Sequence, residues 1–294
     1  MRFRGGLTAE SMLKRGVPPV LGRHRTPSLR ARGTLLRVGV AACLTGTLLY
    51  ASPAAAYRPF DGTDADVTEQ GYFELELGPA HFFDRAGQSY LIAPNTVLNL
   101  GILPGTELVV DFNDYLALGA LNGRPRVAFL GTDVLIKHVL REGCLQGKTG
   151  LSIAIEAGPL TPEYNGIEGF GASGNLILSQ RWDFGTVHFD EWPQYSRAHH
   201  LELFSGVIAE GPHEWRVRPV LELFYDKQWA GPQTVSALGG LIWTARESFV
   251  LDLGVRGARI GEDNAVEIRL GFTWSLPVWG QTESATSARL TSLN

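Results

Sequence analysis

The sequence predicts an all-β protein: a membrane-spanning antiparallel β-barrel of about twelve strands, preceded by a cleaved signal peptide. Three observations carry this expectation. From Gly71 onward, apolar and polar residues alternate in run after run. Short and long connections alternate between those runs. Ahead of them lies an apolar stretch that ends in small residues.

The composition fits such a barrel. Of the 294 residues, 19% are charged, 10% are aromatic and 35 are glycine. Mean hydropathy is close to zero. Apolar helical spans would raise that mean, whereas a barrel strand is apolar on one side only. The net charge of −4 hides an asymmetry. Residues 1–56 hold nine Lys or Arg and a single acid, Glu10, which leaves 17 basic and 29 acidic residues from Tyr57 on. A basic leader on an acidic body points to targeting. Apart from Phe3, the leader's basic residues have no interleaved aromatics to stack bases, so nucleic acid is not an expected partner.

Residues 1–56 read as that leader. Thr34 to Tyr50 is apolar, follows Arg30 and Arg32, and gives way to Ala51-Ser52-Pro53-Ala54-Ala55-Ala56. These are the three regions of a secretory signal, with cleavage expected after Ala56. Arg37 leaves about a dozen clean apolar residues, too few for an uncleaved span of ~30 Å. Residues 1–33 exceed what a signal needs, and Met12 is an alternative start. Cys43 lies inside the apolar run rather than at its end, which speaks against a lipid anchor. Cleavage leaves Cys144 as the sole cysteine, so no intramolecular disulfide is expected.

Residues 57–71 are expected to form a periplasmic N-terminal segment, with acidic Asp61 to Glu69 as a strap beneath the barrel or a plug inside it. The barrel itself is assigned to 72–276. Strands are expected near 72–82, 90–102, 107–117, 128–140, 149–158, 170–182, 185–190, 199–210, 214–225, 234–244, 248–257 and 265–276. Phe73-Glu74-Leu75-Glu76-Leu77 shows the alternation at its clearest. Joints at 103–106, 183–184, 211–213 and 245–247 are short and turn-prone. Longer polar pieces fall at 83–89, 118–127, 159–169, 191–198, 226–233 and 258–264. Arg141 to Lys148 is the exception, too long for the short side. A soluble β-sandwich also alternates, but rarely with so many long strands. The Ser/Thr-rich tail 277–294 is expected to be disordered.

The last strand, Arg269 to Leu276, resembles the final-strand signal read by the barrel assembly machinery: polar, any, Gly, any, any, aromatic, any, apolar. That machinery is an expected partner during biogenesis, and outer-membrane lipid a permanent one. Arg58-Pro59-Phe60-Asp61-Gly62-Thr63-Asp64-Ala65-Asp66, leading into Gly71-Tyr72-Phe73-Glu74-Leu75-Glu76, resembles the opening of the outer-membrane barrel family named for the meta pathway of phenol degradation. Leu103 to Leu108, Asp133 to Lys137 and Ser152 to Pro159 are similar to it as well. The resemblance spans most of 58–276. It implies a barrel in the outer membrane and a role in the uptake of aromatic compounds.

If Phe73, Leu75 and Leu77 face lipid, Glu74 and Glu76 face the interior, since a charge on the lipid face costs about 2–4 kcal/mol near the midplane. The same parity turns Asp111, Lys137, Glu156, His188, Asp190, His200, Glu202, Arg216, Arg218, Glu222, Asp252, Arg256, Glu267 and Arg269 inward as lumen-lining candidates. Opposed acidic and basic walls would orient polar cargo. The expected function is a pore or transporter for small solutes, aromatic or polar organic compounds among them. A structural or receptor barrel with a charge-filled lumen is the alternative, and a barrel enzyme acting on lipid the second.

Catalytic signals are weak. His138 has no serine partner in a motif, and the neighbours His199 and His200 point to opposite sides of a strand. His188 and Asp190 share one strand face and could serve acid–base chemistry or a metal, though a hydrogen-bonded lumen pair is the plainer reading. No P-loop, nucleotide fingerprint, paired-cysteine metal site or nucleophile elbow occurs. Gly169 to Gly174 reads as a bend at a loop base. No catalytic residue, metal or cofactor is expected. Trp192, Tyr195 and Trp229 are placed in external loops, as binding anchors or as girdle residues near the headgroups.

Overall fold

A computed structural model describes residues 58–118, 127–163 and 169–279. The leader and signal peptide (1–56), most of the connection 118–127 and nearly all of the tail lie outside the described residues.

Among the described residues, thirteen β-segments follow one another. They are β1 (Tyr72–Arg85), β2 (Gln88–Ile92), β3 (Asn95–Leu103), β4 (Thr106–Ala117), β5 (Val127–Arg141), β6 (Ser152–Leu160) and β7 (Gly171–Trp182). Then come β8 (Gly185–Tyr195), β9 (Leu201–Glu210), β10 (Val217–Gln228), β11 (Thr234–Arg246), β12 (Phe249–Ile260) and β13 (Asp263–Pro277). Apart from β2 and β3, consecutive segments pair antiparallel, and β1 pairs with β13 to close the circuit. β2 and β3 both lie between β1 and β4, so they form one strand interrupted at Ala93-Pro94. Proline has no N–H to give the ladder, which accounts for the break. The result is a closed twelve-strand barrel with no free edge.

The strand parity is that of a membrane barrel. On β10, Val220, Glu222, Phe224, Asp226 and Gln228 are buried, while Leu221, Leu223 and Tyr225 are exposed. Leu241, Leu253, Val255, Ile268 and Leu270 continue the outward apolar belt across β11 to β13. Trp182, Phe184, Trp215, Trp243 and Trp279 project at the rim that carries the short turns. Such aromatics mark the headgroup level. Backbone groups closed into a ladder behind an apolar exterior are what hydrocarbon demands, and place this barrel in the outer membrane.

Several connections differ from expectation. Those at 83–89 and 258–264 are two-residue turns, Ala86-Gly87 and Gly261-Glu262, and their polar flanks pair as strand residues. Positive φ at Ala86, Gly87 and Gly261 lets the chain reverse so tightly. β8 runs on to Tyr195, which carries Trp192 into the interior instead of an external loop. β10 starts at Val217, three residues later than expected, so Arg216 sits exposed in the preceding turn and not in the lumen. His200 is likewise exposed, because β9 begins at Leu201. The long joint after β5 contains one 3-10 turn, Cys144–Gln146.

Candidate functional site

The interior is occupied by the chain's own residues 58–68. Arg58 lies against Gly78 of β1 and Gly271 of β13, reaches the Asn95 amide oxygen, and holds the Asp252 carboxylate at 3.5 Å. Pro59 packs where a side chain on Gly254 would stand, 2.9 Å from a Cβ built there. Three inward glycines on adjacent strands thus leave room for two residues of the segment. Phe60 packs on Val220, Ile242 and Val250.

Farther along, wall side chains take over the backbone of the segment. The Glu222 carboxylate accepts the N–H groups of Asp61 (2.9 Å) and Gly62 (2.8 Å). Asp190 accepts from Thr63 at 3.2 Å, Ser179 Oγ from Ala65 at 2.9 Å, and Glu107 from Thr68 at 2.7 Å. An extended segment has no ladder partner of its own, so its buried N–H groups need such acceptors. Lys137 Nζ donates to Thr63 Oγ1 at 3.3 Å and stands 3.6 Å from Glu107. At the turn-side rim, Gln146 donates to the Ala65 carbonyl (2.8 Å) and to Asp66 (3.2 Å). Burial first, and then the neighbouring Asp64, push the Asp66 carboxyl up to about 7.

The Asp61 side chain enters a second cluster. Arg269 Nη2 meets both its oxygens, at 3.0 and 3.1 Å, while Arg269 Nη1 donates to the Pro59 carbonyl at 2.6 Å. Arg256 also pairs with Asp61 and holds Glu267 at 2.9 Å. Glu267 also accepts from Arg269 Nε at 2.9 Å and pairs with His81. The Arg256 guanidinium lies 5.0 Å above the Phe224 ring. Phe224 neighbours Phe204 at 4.9 Å, and Phe204 meets Trp192 edge-on at 6.2 Å. With Val97, Val109 and Leu135 from the opposite wall, these rings form an apolar layer across the lumen. Gly206 leaves the space that the Phe204 ring fills.

Fourteen of the sixteen residues singled out by parity sit on strands with side chains turned inward. Glu74, Glu76, Asp111, Lys137, Glu156, His188, Asp190, Glu202, Glu222, Asp252, Arg256, Glu267 and Arg269 are buried, and Arg218 is half-buried at the rim, where it pairs with Glu210 at 3.3 Å. Arg216 and His200 are the two left outside. Glu76 accepts from Asn99 at 2.8 Å, and Glu202 from Gln194 at 3.4 Å. His188 lies 2.8 Å from Ser179 Oγ and 3.4 Å from Glu210, a hydrogen-bonded arrangement within the wall. Among the described residues, no cluster of His, Cys, Asp and Glu has the makings of a metal site.

Glu107 and His81 escaped the sequence reading for different reasons. Glu107 shares parity with Asp111 and was findable on that ground. On β1 the register shifts between Leu77 and Ala80, so the inward set passes from Glu74 and Glu76 to His81 and Arg85. A bulge of this kind breaks the period that the reading depends on.

No family model and no curated protein matches the sequence. Solved structures do. The COG4313 outer membrane channel from Pseudomonas putida F1 superposes with a TM-score of 0.54 at 7% identity, covering 74% of this chain and all of that one. The KdgM porin gives 0.47 at 12% identity, over 68% of this chain and 98% of its own. The CymD monoaromatic hydrocarbon channel gives 0.41 at 10% identity, over 73% and 90%. At 7% identity the likeness to the COG4313 structure is one of fold: this chain has the same closed β-barrel architecture.

Proposed function

We propose that the protein is an outer-membrane channel for small solutes whose passage is held shut by residues 58–68. The observation that carries this reading is how the segment is attached. It is fixed by side chains of the wall, while the barrel closes through β1 and β13 without it. The segment can therefore leave without breaking the ladder, and its departure would uncover a polar path lined by Glu222, Asp190 and Lys137. Charged walls of both signs suit polar or ionic solutes. The opening motif that resembles the phenol meta-pathway family is the part that docks in the lumen. Trp274, the aromatic of the closing strand, is offered to the assembly machinery during insertion.

A barrel with a permanently filled lumen is the second reading, favoured by the apolar layer of Trp192, Phe204 and Phe224. Planar-bilayer recording separates the two. Residues 57–294 should give low conductance with brief openings, and a chain lacking 58–68 should conduct steadily. A deletion variant that folds, shifts its gel mobility on heating and stays silent would reject the channel.

A further inference from the structure

The Asp61 carboxylate sits between two arginines at the edge of an apolar layer, and that arrangement is itself a ligand complex. We infer that Arg256 and Arg269 form a binding site for a small monocarboxylate with an apolar body, which exchanges with Asp61. This rests on the reading of residues 58–68 as a displaceable occupant.

The chemistry is that of the contacts in place. Arg269 Nη2 takes both oxygens of Asp61, at 3.0 and 3.1 Å, a charge-assisted contact that a guanidinium can make with any carboxylate. Arg256 pairs with the same carboxylate through Asp61 Oδ2. Asp61 is a carboxylate on a short stem, so a free carboxylate can reproduce every contact its side chain makes. Beyond the head group, Arg256 leads directly to the Phe224 ring at 5.0 Å, and Phe224 to Phe204. A solute with its carboxylate on the arginines would lay its apolar body against those rings, where Asp61 offers only one methylene. That difference favours exchange for an apolar carboxylate and not for acetate. Glu267 already shares both arginines, and Glu222 lies 3.8 Å from Arg256. Two fixed acids beside the pair disfavour a dianion such as phosphate.

The test is equilibrium binding of radiolabelled benzoate to the full protein purified from outer membranes in detergent, with benzamide, acetate and phosphate as competitors. Saturable benzoate binding is expected, with each competitor at least tenfold weaker. Asp61→Asn, which removes the resident charge and leaves the wall intact, should tighten benzoate binding about tenfold. Arg269→Gln should abolish it, and Arg269→Lys, a check on folding, should restore part of it. Equal competition by benzamide, or an unchanged midpoint in Asp61→Asn, overturns the inference. If the chain lacking 58–68 conducts but the full protein binds no benzoate, this inference falls and the channel stands. If benzoate binds as expected and the deletion variant is silent, the site stands and the channel falls.

Discussion

Glu222, at the middle of β10, accepts the backbone N–H of Gly62 at 2.8 Å, joining the wall to a residue that lies 160 positions earlier. The same carboxylate accepts from Asp61, so one side chain holds two consecutive peptide groups. Replacing it with glutamine keeps the volume and removes the charge. Charge-assisted bonds are roughly twice as strong as neutral ones, so Glu222→Gln should weaken docking by about 1–2 kcal/mol. Single-channel recording should show open time rising about 5- to 30-fold. An open time unchanged from the parent would deny Glu222 this role.

Gly254 offers a steric test. A side chain there would meet Pro59 at 2.9 Å, whereas one at Gly257, whose added Cβ would meet nothing within 4 Å, has free space. Gly254→Val should expel the start of the segment and expose it to protease, with little change in barrel stability. Gly257→Ala is the matched control and should behave as the parent. Equal protection in all three proteins would mean that the glycine slot does not hold Pro59.

Asp66 gives docking a pH dependence of definite sign. Its ordinary value is near 4, and in the docked segment it is pushed up to about 7 by burial and by Asp64, against the pull of Lys137. The docked state therefore retains a proton that the released one gives up. Its contribution is complete below about pH 4 and is lost as pH rises through 7. Hydrogen exchange of residues 58–68 should quicken between pH 5 and 8, after correction for intrinsic rates. Asp66→Asn should flatten that slope, and a slope that persists in the variant would remove Asp66 from the explanation.

The outward belt is open to a direct energetic test. Leu253 faces out from β12 with 45% of its surface exposed. Leu253→Arg should cost about 2–4 kcal/mol in urea titrations of the barrel in lipid vesicles, and Trp215→Arg at the rim about 0–1. Similar costs at the two sites would contradict a belt with its midplane near Leu253.

Much of this barrel was legible because alternation is enforced by lipid. Twelve strands were expected and twelve close the circuit, since an inward Glu74 and an outward Leu75 leave each strand one register. Parity failed where the backbone departs from it, at the bulge before Ala80 and in the turn that exposes Arg216. Loops were harder. Asp84, Arg85, Gln88 and Ser89 read as a polar connection, yet they pair across a tight hairpin, and Arg85 holds Asp263 at 2.8 Å. The occupant of the lumen was least legible. Arg58 and Asp61 follow no period, and their partners lie up to 208 positions away.

Arg58 touches β13 through Gly271, β1 through Gly78, β12 through Asp252 and the β2–β3 break through Asn95. Those strands flank the line where the first strand meets the last. A barrel made from one chain has a single seam, and here a residue from just ahead of the first strand rivets it from within. The hoop and its rivet are parts of one polypeptide. Releasing the segment would therefore do more than clear the bore: it would remove the inner brace from the one joint along which the cylinder was sealed.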